Sequence, residues 1–158
     1  MKANSNYKPV GGVESVALYP AEAVARALFS NEGCEVEFLG TPVEVTLMED
    51  ASRYEEICNL KCGVTTVSHQ LHLVAEKRDG ERWFDNQFLE RALFDGLIAV
   101  VTLCSGVRLL VGYSAHFANE QPLRLDSITS SSGCSLRDTP SVTLRLVSCD
   151  TEFSSHIL

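Results

Sequence analysis

Four residues between positions 58 and 72 are of the types that bind transition metals. Cys58, Cys62, His69 and His72 are spaced C-x3-C-x6-H-x2-H, and thiolates and imidazoles are the usual ligands of zinc. The interval between cysteines and histidines is too short for a zinc finger, and in a strand the two histidines point to opposite faces. We therefore expect core cysteines and a half-buried histidine pair, and no metal site.

A second candidate is "GYSAH", residues 112–116. It is similar to a nucleophile elbow, but its last position is His116 rather than glycine and no helix signal follows. Ser114 and His116 would share one face of a strand, and no carboxylate can be identified that would orient the histidine. We interpret the segment as the polar end of a strand.

Carboxylates are frequent, but their spacing indicates no catalytic pair. Glu49–Asp50 and Glu55–Glu56 are adjacent in sequence, so their side chains point apart on a strand. Asp126 stands alone. "GVESVAL" lacks the order of strand, G-x-G and helix that holds a pyrophosphate. We predict no enzymatic activity and no cofactor.

The longest β-rich region predicts an extended hairpin over residues 54–77. "YEEICNL" and "VTTVSHQLHLVAEK" flank the short segment "KCG" at 61–63. In the second run, one face carries five alternate residues, namely Val67, His69, Leu71, Leu73 and Ala75. The run exceeds the usual five or six residues of a strand, and such arms often reach a neighbouring molecule. The candidate subunit-contact residues are Tyr54, Ile57, Leu60, Val64 and Val67.

Two helices and one further hairpin are predicted around this arm. Residues 21–29 are alanine-rich and favour a short helix after Pro20. Short runs at 34–39 and 42–50 suit a hairpin that turns at Gly40–Pro42. The strongest helix pattern covers 82–96 and ends at Gly96. Its apolar stripe is Phe84, Phe88, Leu89, Ala92 and Leu93.

The rest of the chain reads as strands. "LIAVVTL" at 97–103 suits a buried central strand, joined by Ser105–Gly106 to "VRLLV". "SVTLRLV" at 141–147 alternates so that Val142, Leu144 and Leu146 face a core. We predict a mainly β (α+β) fold: an antiparallel β-sandwich or barrel with one flanking amphipathic helix and the long hairpin arm. A flexible N-terminal arm, 1–12, precedes a single domain, 13–158.

The net charge of the chain argues against binding to nucleic acid. The formal net charge is −8 and the pI about 4.9, so the surface repels phosphate backbones. The basic residues Lys77, Arg78 and Arg82 are interrupted by Asp79 and Glu81, which is typical of a solvated turn. No signal-peptide pattern or membrane-spanning run is present, so we expect a cytoplasmic protein without a membrane partner, its six cysteines as thiols.

The C-terminal third carries features of a known group of proteins. They are Gly112–Tyr113 at a strand end, the "LRL-S" strand at 123–127, the Ser132–Gly133 turn, Asp138 two before Pro140, and the closing "VTLRLVSCDT". Together with the N-terminal "GGVESVALYPAEAV", they resemble small tail proteins encoded by phages and prophages of gut bacteria of the Bacteroides group. Cys149 departs from the acidic residue expected before Asp150.

The resemblance implies a tail-tube-like fold and a structural role. Copies would form hexameric rings that stack into a conduit and contact other tail proteins, with the hairpin arm touching an adjacent subunit. DNA would pass as cargo without specific binding, repelled by a lumen lined with carboxylates. The protein would be assembled in the bacterial host's cytoplasm and reside in the virion tail. A tail-terminator or head–tail neck protein is the alternative within this class, and a cytoplasmic small-ligand-binding β-barrel or enzyme is the alternative from another.

Overall fold

The structure is a computed structural model that describes residues 11–49, 51–76 and 86–158. It is mainly β with antiparallel sheets and one short helix, as the sequence predicts. The helix is α1 (Asn86–Glu90), which continues into a π-helical turn (Arg91–Asp95). The strands are β1 (Val13–Pro20), β2 (Val24–Phe29), β3 (Cys34–Phe38), β4 (Val43–Val45), β5 (Arg53–Lys61), β6 (Val64–Glu76), β7 (Leu97–Leu103), β8 (Arg108–Val111), β9 (Arg124–Ser131), β10 (Ser141–Asp150) and β11 (Ser155–His156).

The strands form two larger sheets and a two-stranded ribbon. The five-stranded sheet has the order β11-β8-β7-β1-β4, the four-stranded sheet has the order β5-β6-β10-β9, and the ribbon pairs β2 with β3. The two larger sheets share one core, because alternate residues of each strand point to the same side. The four-stranded sheet contributes Leu71, Leu73, Ala75, Val142, Leu144 and Leu146, and the five-stranded sheet contributes Val16, Leu18, Val45, Leu97, Ala99, Val101, Leu109 and Val111.

The ribbon covers part of the other face of the five-stranded sheet. A second apolar cluster forms there around Cys34, Ile98 and Leu110, with Val24 and Phe29 of the ribbon packed against it. Burial of this apolar area is worth about 25 cal/mol per Å². The five-stranded sheet therefore lies between two apolar layers at this end.

The helix predicted over residues 21–29 is wrong. Ala21–Ala23 form a single 3-10 turn, and Val24–Phe29 form strand β2, paired antiparallel with β3. Alanine favours a helix locally, but the strand places Val24 and Phe29 on the second apolar cluster. This tertiary burial outweighs a weak local preference.

The hairpin predicted across Gly40–Pro42 is also wrong. Its first strand, β3, pairs with β2, and its second, β4, pairs with β1. Gly40 does turn the chain, with φ +83°, but the turn leads β4 to the edge of the five-stranded sheet. Val45 lies opposite Val16 there and is buried in the main core.

The helix predicted over 82–96 is partly confirmed, within the residues described. Phe88 and Ala92 are buried in the main core, and Gly96 ends the helix with φ +84°. Leu93, expected in the buried stripe, is 47% exposed. A π-helical turn has more residues per turn than an α-helix, so it rotates the last residues of the stripe away from the core. Phe84 lies outside the described residues.

The long hairpin is confirmed, with β5 and β6 paired antiparallel. Lys61 pairs with Val64 across the two-residue turn Cys62–Gly63, where both φ angles are positive, +50° and +76°, as a type I′ turn requires. The inward face of β6 is the predicted one. The buried strand at 97–103 and its hairpin to β8 are also confirmed, as are the inward residues of β10.

Other predictions fall on parts of the chain that the structure does not describe. These are most of the N-terminal arm, residues 1–10, the interrupted basic stretch 77–82, and Asp50. No helix among the described residues is long and apolar enough to cross a membrane.

Candidate functional site

The four candidate metal ligands do not come together. Cys58 and Cys62 are exposed, so the prediction that they lie in the core is wrong: Cys58 is near the end of β5 and Cys62 is in the hairpin turn. His69 is buried on the inward face of β6 and His72 lies on the outward face. Within the described residues, no group of three or more His, Cys, Asp or Glu side chains could hold a metal ion.

The cysteines differ in accessibility, which gives a direct test of the fold. All six are free, five are exposed, and Cys34 is fully buried in the second apolar cluster, where burial raises the pKa of its thiol. We expect a thiol reagent to label five cysteines of the native protein within minutes and the sixth only after unfolding, because the thiolate is the reactive form. Peptide mass mapping should identify Cys34 as the slow site. Rapid native labelling of Cys34 would contradict the placement of the ribbon.

Ser114 is a structural hydroxyl and not a nucleophile paired with His116. Its Oγ donates to Asp150 Oδ1 at 3.0 Å and accepts the backbone N–H of His116 at 3.1 Å. The imidazole of His116 turns outward, with Nε2 2.8 Å from Glu152 Oε1. The serine proton is thus bound to a carboxylate, and the histidine does not reach the hydroxyl.

The outward face of the four-stranded sheet is open and polar. Its central residues, on β6 and β10, are Thr66, Ser68, Gln70, His72, Val74, Thr143, Arg145 and Val147. Arg145 pairs with Asp126 and Arg53 with Glu55, so the charges of this face are largely compensated. Burial, with Arg53 and Arg145 nearby, lowers the pKa of His72, which keeps its imidazole neutral at pH 7.

Both edges of this sheet are long and exposed. Edge strand β5 has nine residues and edge strand β9 has eight, with no further strand paired to either among the described residues. The π-helical turn packs beside β9, but residues 126–131 are exposed throughout. The five-stranded sheet ends instead in β4 and β11, of three and two residues. Short edge strands are a common protection against edge-to-edge pairing, and of the two larger sheets the four-stranded one lacks it.

The five candidate subunit-contact residues divide into two groups. Ile57, Leu60 and Val64 are 43%, 75% and 62% exposed and form an apolar hairpin tip. Val67 is 1% exposed and belongs to the core, and Tyr54 is half-buried with its hydroxyl bonded inside the protein. Val67 is therefore not available as a contact in the folded chain. Whether the first three bind another subunit stays a prediction.

An open groove that the sequence did not indicate lies between the ribbon and the five-stranded sheet. It has a volume of about 680 Å³ and is lined by apolar residues together with charged ones of both signs, including Arg26, Arg108, Glu35, Glu37 and Glu44. One wall of the groove is the ribbon β2-β3. Because residues 21–29 were predicted to be a helix, the sequence did not predict the ribbon or the groove.

Compared with protein-family models, curated proteins and solved structures, the chain has no match in any of the three.

Proposed function

We propose that this protein is a structural subunit that assembles through its four-stranded sheet, and more specifically a phage tail tube protein. The observation that carries the proposal is the pair of long, exposed edge strands β5 and β9, in a protein whose other large sheet has short edges. Exposed edges of this length are templates for pairing with another chain.

The strand directions permit head-to-tail pairing. All neighbours in the sheet β5-β6-β10-β9 are antiparallel, so β5 and β9 themselves run in opposite directions. Placing β9 of one copy beside β5 of the next therefore continues the antiparallel pattern. A contact between two different surfaces can repeat from copy to copy. It closes into a ring when the rotation that relates neighbouring copies divides a full turn evenly. Such a ring would be lined by a continuous β-sheet.

The open face of the sheet would then face the conduit. It carries hydroxyl and amide side chains, His72 and two valines, and its arginines Arg53 and Arg145 are paired with carboxylates. These pairs weaken its attraction for a passing phosphate backbone. The lining by carboxylates expected from the resemblance does not apply to this face. DNA would slide because specific binding is lacking, and the net charge of −8 is carried by other surfaces.

We infer the remaining features from this assembly and from the resemblance. Hexameric rings would stack into a tube, meet other tail proteins at its ends, and form in the host cytoplasm before residing in the virion. The hairpin tip would touch the adjacent subunit. A tail-terminator or neck protein would form single rings only, and electron microscopy distinguishes these two outcomes.

The purified protein should elute far above its chain mass of 17.3 kDa and show rings or tubes by negative stain. Ile128→Lys should reduce assembly strongly, because it places a charge on edge strand β9, where charged residues oppose pairing. Folding should be kept, since Ile128 is already 38% exposed. The matched control is Leu136→Lys, at a fully exposed position outside the sheet. A wild-type chain that stays monomeric at high concentration contradicts the proposal.

One observation favours the alternative from another class. The groove between the ribbon and the five-stranded sheet is large enough for a small ligand, and its charges could orient one. A monomeric protein whose melting temperature rises with a small molecule, and loses that response in Arg26→Ala, would support a ligand-binding protein instead.

A further inference from the structure

Glu55 and Arg124 lie at opposite edges of the four-stranded sheet, at the two ends of one row of paired residues. Glu55 on β5 pairs with Gln70 on β6. Val147 on β10 pairs with Gln70 on one side and with Arg124 on β9 on the other. All four side chains are on the outward face, because directly paired residues share a face. The two edges therefore carry opposite charges at the same level of the sheet.

This row can continue without interruption from one copy into the next. In an antiparallel sheet the N–H and C=O groups of a residue point to the same neighbouring strand, so paired positions alternate between hydrogen-bonded and non-hydrogen-bonded along a row. Across four strands, the free sides of the first and the last residue are then of the same kind. Strand β9 of one copy can therefore pair with β5 of the next with Arg124 opposite Glu55. A slip of one residue would place inward side chains on the outward face.

The adjacent row brings a second pair of opposite charges together. From β5 to β9, it consists of Arg53, His72, Arg145 and Ser127. Asp126 is the extra residue of β9 at the register shift between the two rows. In the same pairing of two copies, Arg53 would therefore lie beside Asp126 and Ser127 of the next copy.

Within one copy these charges are only partly paired. Arg53 pairs with Glu55 along β5, and Arg145 pairs with Asp126 across β10 and β9. Arg124 is exposed and has no ion pair within the part of the chain that the structure describes. Across the contact between two copies the charges would alternate in sign, in the order Arg124, Glu55, Arg53, Asp126 and Arg145. Each of them would then have a neighbour of opposite charge.

The neighbouring registers lack this complementarity. A shift of two residues in one direction would place Arg124 opposite Arg53, and in the other direction Asp126 would lie beside Glu55. Like charges directly opposite each other on two strands are destabilising. A shift of four residues would pair more of the two strands, but it places Arg124 opposite Asn59 and joins no opposite charges. Charge therefore selects the register with Arg124 opposite Glu55.

The selected register also brings exposed apolar side chains together at one end of the contact. Strands β5 and β9 overlap over three rows in it, and the rest of β5 extends past the start of β9. Just before β9, Pro122 packs so closely against Gly96, at the end of the π-helical turn, that an added Cβ atom would clash. Leu93 and Phe94 of this turn are 47% and 74% exposed, and Leu60 on the projecting hairpin is 75% exposed. The hairpin of one copy can therefore cover the turn of the next.

We propose that copies of this chain join side by side through β5 and β9, with Glu55 of one copy opposite Arg124 of the next. This inference rests on the proposed assembly through the four-stranded sheet and adds its register and its charge pairs. The partner is a second copy of the chain, because both halves of the complementary surface lie on one chain, at opposite edges of the same sheet. Such a contact repeats head to tail.

Charge reversal on either edge should weaken assembly. Glu55→Arg places two arginines opposite each other and Arg124→Glu two glutamates, so each variant alone should need at least about tenfold more protein to assemble. Both positions are exposed, so folding should be kept, which urea unfolding checks. Glu22→Arg and Arg137→Glu are the matched controls. They make the same charge changes at exposed positions outside the sheet and should assemble like the wild type in sedimentation velocity over a concentration series.

An equimolar mixture of the two variants should recover assembly. When Glu55→Arg and Arg124→Glu copies alternate, every contact again joins an arginine to a glutamate, and a ring with an even number of copies can close. A single chain that carries both changes should recover assembly as well. Both recoveries require the two residues to face each other, whereas damage to the fold by either change would persist in the mixture.

The results separate this inference from the proposed function. Wild-type protein that assembles, single variants that do not, and a mixture that recovers would support the inference. Single variants that assemble like the wild type would overturn it, and so would a mixture and a double variant no better than the single variants; in both cases assembly would use another contact. Wild-type protein that stays monomeric at high concentration would overturn both the inference and the proposed function.

Discussion

We expect a chain in which residues 60–65 are replaced by Asn-Gly to fold normally and to lose the stacking of its rings. Asn59 and Thr66 are paired across the hairpin, and Asn-Gly is the preferred two-residue type I′ turn. The shortened hairpin therefore keeps its register and all of its buried residues. It loses Leu60 and Val64, the most exposed apolar side chains of the tip.

The expected effect is large because the shortened hairpin retains only Ile57, the least exposed of the three apolar side chains of the tip. Apolar groups held in water at the end of a projecting hairpin gain free energy only when a partner buries them. Electron microscopy should show isolated rings or single subunits in place of tubes, and the unfolding midpoint in urea should stay close to that of the wild type. Leu60→Ser should also reduce stacking, whereas Leu136→Ser, at an exposed leucine outside the tip, should not. The comparison distinguishes an effect of the tip from an effect of a more polar surface. Tubes of normal length from the shortened chain would refute the role of the arm.

Gly96→Ala should strongly lower the free energy of unfolding, and by more than Gly106→Ala. Gly96 ends the π-helical turn with φ +84° and ψ 168°, a conformation that only glycine adopts easily. A Cβ atom there would lie 2.3 Å from Pro122 Cγ. Backbone strain and overpacking together should cost about 2 to 5 kcal/mol. Urea unfolding of the two proteins measures the difference.

Gly106→Ala provides the matched comparison. Gly106 has a similar φ, +91°, in the turn between β7 and β8, but a Cβ atom added there meets nothing within 4 Å. Only the cost of the left-handed conformation remains, about 1 kcal/mol. Equal losses of unfolding free energy for the two variants would contradict the close packing of Pro122 against Gly96.

Assembly and stability depend on different parts of the protein in these predictions. The hairpin tip and the exposed positions of edge strands β5 and β9 lie outside the core, so changes there should affect association alone. Gly96 lies where the helix meets the main core and should affect folding alone. A variant that changed both together would indicate that the subunit folds only in the assembly, as in many obligate oligomers.

The turn at residues 132–140 is held together by side-chain hydrogen bonds to its own backbone. Asp138 Oδ2 accepts the N–H groups of Cys134 and Ser135 at 2.9 and 3.0 Å, and these bonds lower the pKa of its carboxyl group. Side-chain bonds to nearby backbone groups are typical of such aspartate turns. The loop therefore presents a defined surface between β9 and β10.

The sequence by itself determined the strands whose side chains alternate most regularly, the hairpin over 54–77, and the end of the helix at Gly96. Alternation of apolar and polar residues and a glycine at a turn both reflect the local backbone conformation. The local sequence is therefore sufficient to predict these elements. Only the tertiary structure decided that residues 24–29 form a strand, that β4 pairs with β1, and that Glu56, Tyr54 and His69 contact residues 152–154. These outcomes depend on burial and pairing between segments far apart in the chain, and local propensity is too weak to specify them. The exposed edges that carry the proposed function belong to the same group, because an edge exists only once the order of strands in the sheet is fixed.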